Sequence, residues 1–155
     1  MKTAVVYYTR YGHNKVIAEA IAQELGAEQR QVRTPKEHGF LSMGFCSAFN
    51  VHMRIEPMDL DFSAFDTVVI CAPIWAGKPA APVYTFLRDA KLDGRKLAFC
   101  FSTGGGSSQR AQDKVKRDLA SRKVEIVGFG EINTREEDEG KLRQEAGAFA
   151  RKLRG

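Results

Sequence analysis

The sequence predicts one doubly wound α/β domain over residues 1 to 155, with a five-stranded parallel sheet covered by helices on both faces. Three observations predict it. Segments of strand composition alternate with segments of helical period along the chain, and that alternation needs crossover connections between parallel strands. The run "DTVVICAP" (66 to 73) is continuously apolar rather than alternating, as a strand buried on both faces must be. No repeat, low-complexity stretch or linker divides the chain, whose length suits one domain burying about 70 % of its unfolded surface.

Taken in order, "TAVVYY" (3 to 8) is β-branched and aromatic and makes the first strand. From Lys15 the period changes: Val16, Ile17, Ala20, Ile21 and Leu25 recur at helical spacing, and Gly26 stops the helix. "EQRQVR" (28 to 33) alternates weakly, as an edge strand does. "DTVVICAP" is the third strand, after which Pro79 and Pro82 open a helix carrying Val83, Phe86, Leu87 and Ala90. "LDGRKLAFCFST" (92 to 103) is an Asp-Gly turn feeding a fourth, buried strand. A helix through Ala111, Val115 and Leu119 follows, and "VEIVGFGEI" (124 to 132) is the fifth strand. The residues from 134 to 137 match the T-x-x-E capping box. A last helix runs through Leu142, Ala146, Phe149 and Leu153, weakened locally by Gly140 and Gly147.

Composition excludes several classes of function. No apolar run approaches the roughly 20 residues of a membrane helix. The start, "MKTAVVYY", turns polar too soon for a secretory signal, so the expected location is cytoplasmic. Cys46, Cys71 and Cys100 are too few and too scattered for a disulfide framework, and no Cys/His spacing suits a metal. Cys71 and Cys100 lie inside strand-like runs, where cysteine behaves as a small buried hydrophobe. The net charge of +5 points to anionic partners. No nucleic-acid recognition motif accompanies it, so neither nucleic acid nor membrane is an expected partner.

In a doubly wound sheet, ligands bind beyond the carboxyl ends of the strands, and three loops with unusual chemistry leave those ends. The first, "TRYGHN" (9 to 14), joins a strand to a helix N-terminus, where unpaired amides and the helix dipole favour an anion. Thr9 and Asn14 add hydrogen-bonding groups, Gly12 allows close backbone approach, and Arg10, His13 and Lys15 add charge. The plainer reading is a turn in which Asn14 caps the helix. The second, "PIWAGKP" (73 to 79), sets Trp75 beside Ala76 and Gly77, which suits a flat ring or simply covers the sheet edge. The third, "STGGGSS" (102 to 108), exposes backbone amides to a polar ring edge or is a flexible turn.

Together, "YYTRYGHNKVIAEAIA", "APIWAGKPAAPVYTFL" and "FCFSTGGG" resemble, in order and spacing, the phosphate loop and two ring-binding loops of short-chain flavodoxins. These flavodoxin-like proteins bind flavin mononucleotide (FMN). The resemblance spans the whole chain and implies the strand order 2-1-3-4-5. It implies that Thr9, Arg10, Tyr11, Gly12, His13 and Asn14 hold the FMN phosphate. By the same resemblance Ile74, Trp75, Ala76 and Gly77 flank the isoalloxazine, while Ser102, Thr103, Gly104, Gly105 and Gly106 meet its pyrimidine edge through backbone amides. Two positions depart from the family: Arg10 stands where a second glycine or small residue is common, and Asn14 where a Ser or Thr usually closes the loop.

The resemblance implies an electron carrier that shuttles between a reductase and an acceptor. The alternative is an NAD(P)H-dependent FMN-containing reductase of quinones or other small acceptors. No catalytic side chain and no metal is needed, because the cofactor does the redox chemistry. A peptide at Ala76–Gly77 or Gly77–Lys78 could turn its carbonyl toward a protonated flavin nitrogen, since glycine tolerates either orientation. Many flavodoxins are acidic. This chain is basic, which predicts a less negative potential for full reduction and an acidic redox partner protein or a small-molecule acceptor. Lys78 and Arg10 are the expected sources of a direct effect, whereas Lys114, Lys116, Arg117, Arg122 and Lys123 read as a solvated helix face. The expected assembly is a monomer or homodimer. In "HGFLSMGFCSAFNVHMR" (38 to 54), Leu41, Phe45 and Phe49 recur at four-residue spacing with Phe40, Met43 and Met53 nearby. That suits a helix over the flavin edge or packing between strands two and three, with His38 and His52 solvated.

Overall fold

The computed structural model describes residues 1–35 and 53–155. Apart from Met53 and Arg54, the segment from 38 to 54 lies outside the described residues, and the expectations for Cys46, His38 and His52 lie there with it. Strands β1 (Thr3–Tyr7), β2 (Glu28–Gln31), β3 (Thr67–Trp75), β5 (Lys96–Thr103) and β6 (Glu125–Asn133) form one parallel sheet in the order β2-β1-β3-β5-β6. Counted without β4 (Lys78–Pro79), a two-residue strand antiparallel to the end of β3, this is the expected order 2-1-3-4-5. The helices are α1 (His13–Leu25), α2 (Ala81–Asp89), α3 (Gln109–Leu119) and α4 (Glu139–Arg154).

Strand residues divide strictly between two faces, because successive side chains of a strand point opposite ways. Ala4, Val6, Val68, Ile70, Leu97, Phe99 and Phe101 pack against α2 and α3 through Val83, Phe86, Ala111 and Val115. Val5, Tyr7, Val69, Cys71, Ala98 and Cys100 pack against α1 and α4 through Ile17, Ile21, Leu142 and Ala146. That two-sided burial is why the central strands read as unbroken apolar runs. The faces differ in bulk. Phenylalanines fill the α2/α3 side, while Ala98, Cys100 and an alanine-rich α1 let α4 come close. At Gly130 a Cβ would lie 2.7 Å from Cδ2 of Phe149, so the glycines of "GFG" make room for α4.

Several boundaries differ from the sequence reading. Helix α1 begins at His13, two residues before Lys15, because Gly12 at φ 95 ends the loop and acts as the N-cap. Asn14 therefore lies inside the first turn and does not cap it. Gly26 ends the helix in the left-handed region, as expected. Pro79 belongs to β4, and only Pro82 lies in the first turn of α2. The T-x-x-E capping box does not form. The Thr134 amide and hydroxyl both donate to the carbonyl of Thr103, at 2.8 and 3.1 Å, and extend the sheet instead. The cap of α4 is Asp138, whose carboxylate accepts from the Lys141 amide at 3.1 Å. Among the described residues no helix is long and apolar enough to cross a membrane.

Candidate functional site

Strand β1 has β2 on one side and β3 on the other, so connections leaving β1 and β3 go opposite ways and open a crevice beyond their carboxyl ends. The three loops singled out by sequence meet around it.

In the first loop the Gly12 amide donates to Oγ1 of Thr9 at 2.9 Å. A hydroxyl used as acceptor keeps its own proton to donate outward. The next amides, of His13, Asn14 and Lys15, precede the first intrahelical bond, which the Val16 amide makes to the Gly12 carbonyl at 3.3 Å. The first turn of α1 holds no acidic residue, so nothing there competes for those donors. Arg10 lies over the ring of the exposed Tyr11, 5.8 Å from its centroid. His13 faces Glu137 at 3.8 Å. Asn14 is buried, and its amide nitrogen donates to Oγ of Ser102 at 2.7 Å, tying the first loop to the third.

The second loop is a two-residue hairpin turn. Trp75 pairs with Lys78 and Ile74 with Pro79, and both central residues have positive φ: Ala76 at 51 and Gly77 at 72. This is the pattern of a type I′ turn, in which alanine is the strained member. Trp75 is half-buried and meets Tyr8, at the end of β1, edge to face at 5.5 Å.

In the third loop Ser102 and Thr103 are buried at the end of β5, while Gly104, Gly105 and Gly106 are exposed. Gly105 has φ 107, and a Cβ at Gly104 or Gly106 would meet nothing within 4 Å, so the backbone is open to a ligand. The loop is held from behind, where the Ser108 amide donates to Oε2 of Glu131 at 2.6 Å. Two buried polar atoms of this cluster, Oδ1 of Asn14 and Oγ1 of Thr103, have no hydrogen-bond partner among the described residues.

Sequence reasoning missed three contributors. The loop after β6 brings Glu137, itself at φ 52, to His13, and lays Arg135 within 3.6 Å of where a Cβ of Gly105 would be. Arg110, near the start of α3, lays its guanidinium on Gly77. Arg110 and Arg135 have no local motif that could have marked them, and Glu137 read only as the last residue of a capping box. Cys71 and Cys100, in register on β3 and β5, are wholly buried. A hydrogen bond with Cys100, then burial, push the Cys71 thiol well up, so it is no nucleophile.

No model of a protein family matches the chain. No curated protein matches it either. Solved structures do. A flavoprotein of Lactobacillus acidophilus, determined in complex with FMN, shares 22 % identity and a TM-score of 0.75 over 89 % of this chain and 97 % of its own. Oxidised flavodoxin 2 of Bacillus cereus shares 22 % identity and a TM-score of 0.57, covering 98 % of this chain and 99 % of its own. Two-electron reduced flavodoxin of Megasphaera elsdenii shares 16 % identity and a TM-score of 0.61, covering 96 % and 98 %. The chain has the flavodoxin-like fold.

Proposed function

We propose that the chain holds FMN in its carboxyl-edge crevice and carries electrons between a reductase and an acceptor. The observation that carries this reading is the convergence of the three loops, locked by the Asn14–Ser102 bond, around two buried polar atoms without partners. A polar ligand seated among the loops would supply those partners, and an empty polar crevice would leave their desolvation uncompensated. The residues fit FMN. The Thr9 hydroxyl and the amides of His13, Asn14 and Lys15 would take the phosphate, with Arg10 and Lys15 adding charge. Ile74, Trp75, Ala76 and Gly77 would flank the ring, and the open backbone from 102 to 106 would meet its polar edge. Tyr11 is exposed and free to cover the phosphate end. FMN supplies reversible uptake of one or two electrons, and the protein orients it and sets its energetics.

The rim supports an acidic redox partner. Arg10, Arg110 and Arg135 make no side-chain ion pair or hydrogen bond to a described residue. The test is a titration of the apoprotein with FMN by flavin fluorescence, followed by anaerobic photoreduction of the complex. One-to-one binding and reduction in two resolved one-electron steps are expected. Reduction in a single two-electron step, with nicotinamide oxidised in the absence of a partner protein, would replace the carrier with the reductase. Absence of FMN binding would end both readings.

A further inference from the structure

We propose that Arg110 is the cation that biases the ring site toward reduced, anionic flavin. The inference rests on the FMN reading above.

A Cβ built at Gly77 would lie 3.1 Å from Cζ and Nη1 of Arg110 and 3.3 Å from Nε, so the guanidinium occupies the space that any other residue's side chain would take. Arg110 is thereby seated against the Ala76–Gly77 turn. Asp113, one turn along α3, is taken by the side-chain amide of Gln109 at 2.9 Å, and Asp118 by Lys114 at 2.9 Å. No carboxylate among the described residues pairs with Arg110.

The other cations near the crevice are placed differently. Arg10 stands over Tyr11 in the phosphate loop, where a phosphate would neutralise it. Lys78 has interactions of its own. Arg135 lies beside Gly105, with Glu136, Glu137 and Asp138 directly after it in the chain. Arg110 is the cation whose guanidinium lies on the Ala76–Gly77 turn itself, and a guanidinium is a permanent charge.

Full reduction adds two electrons and one proton to a neutral ring and leaves a monoanion, the electrons coming in the assay from dithionite. A cation held at the ring loops lowers the free energy of that anion and leaves the neutral oxidised ring almost untouched. Arg110 should therefore raise the affinity for reduced FMN relative to oxidised FMN. Its seat on Gly77 also braces a turn that contains a strained alanine. Charge and brace are separable by substitution.

The experiment compares the wild type with Arg110→Gln and Arg110→Lys. It reads the dissociation constant of oxidised FMN, the midpoint potentials of the complexes at low and high salt, and the emission of Trp75, the only tryptophan, in the apoproteins. In Arg110→Gln the ratio of oxidised to reduced dissociation constants should fall about fivefold at low salt, with a smaller change at high salt. Arg110→Lys should keep most of the wild-type ratio, and Trp75 emission should be the same in all three. An unchanged ratio in Arg110→Gln would overturn the proposal. So would an equal fall in Arg110→Lys, or a shifted Trp75 emission in Arg110→Gln, since either assigns the effect to the brace. A wild type that binds no FMN, read before any variant, would instead overturn the function on which the proposal rests.

Discussion

The two edges of the one sheet use arginine in opposite ways. At the amino edge, Arg95 donates to the carbonyls of Ser63 and Phe65, at 3.1 and 2.6 Å, fastening the entry to β3. Arg122 donates to the carbonyls of Leu87 and Ala90 and to Asp93, closing the end of α2. These guanidiniums satisfy helix-terminal and loop carbonyls that would otherwise go unpaired. At the carboxyl edge, Arg10, Arg110 and Arg135 fasten no carbonyl and pair with no carboxylate among the described residues. Ala76 and Glu137, the non-glycine residues with positive φ among those described, also stand at the carboxyl edge. The arginines that brace carbonyls stand at one edge, and the non-glycine residues of positive φ among those described stand at the other.

The comparison breaks most sharply at Gly12. Replacing it with valine puts a β-branched residue at φ 95 in the phosphate loop. FMN affinity should fall about a hundredfold, on the order of 2.7 kcal/mol, in a fluorescence titration. The urea midpoint should also fall, since a side chain at φ 95 is strained even where a Cβ meets nothing within 4 Å, but by less than the loss of binding. A loss of fold equal to the loss of binding would show that the first loop is structural.

Arg122→Ala tests the opposite edge. Leaving the Leu87 and Ala90 carbonyls without their donor should cost about 2 kcal/mol of stability, read as a shifted urea midpoint at constant slope. FMN affinity should stay within about twofold, since Arg122 braces only α2 and its flank. A large change in FMN affinity would mean that the edges are coupled.

The smallest effect is expected at Ala76. Glycine adopts φ 51 without the steric cost that alanine bears, and its extra freedom when unfolded offsets part of the gain. Ala76→Gly should stabilise the apoprotein by about 0.5 kcal/mol. Destabilisation would mean that the alanine methyl makes a contact worth more than the strain.

The fold class was legible because it depends on short-range signals, and the strand order came with the family resemblance. The continuous apolar runs, the change of period after Tyr8 and the left-handed stop at Gly26 each sit within a few residues of chain. The wrong boundaries came from the same short range. The T-x-x-E pattern is a capping box only if Thr134 is free, and β5 had already taken it through Thr103. The charge-rich stretch on and after α3 reads as a solvated face, and Lys116, Arg117 and Lys123 are exposed there, but Arg122 is half-buried and braces the carbonyls of Leu87 and Ala90.

Sequence alone determined the alternation of strand and helix, and with it a parallel sheet whose carboxyl edge collects glycine-bearing loops. Tertiary structure decided which side chains those loops meet. Asn14 reaches Ser102 across 88 positions, and Arg122 reaches Leu87 across 35. Glu137 comes to His13, and Arg110 to Gly77, by the same folding of distant segments onto one edge. A guanidinium or an amide carries no mark of its partner, because hydrogen bonds and charges act through space over a few ångströms whatever the separation along the chain.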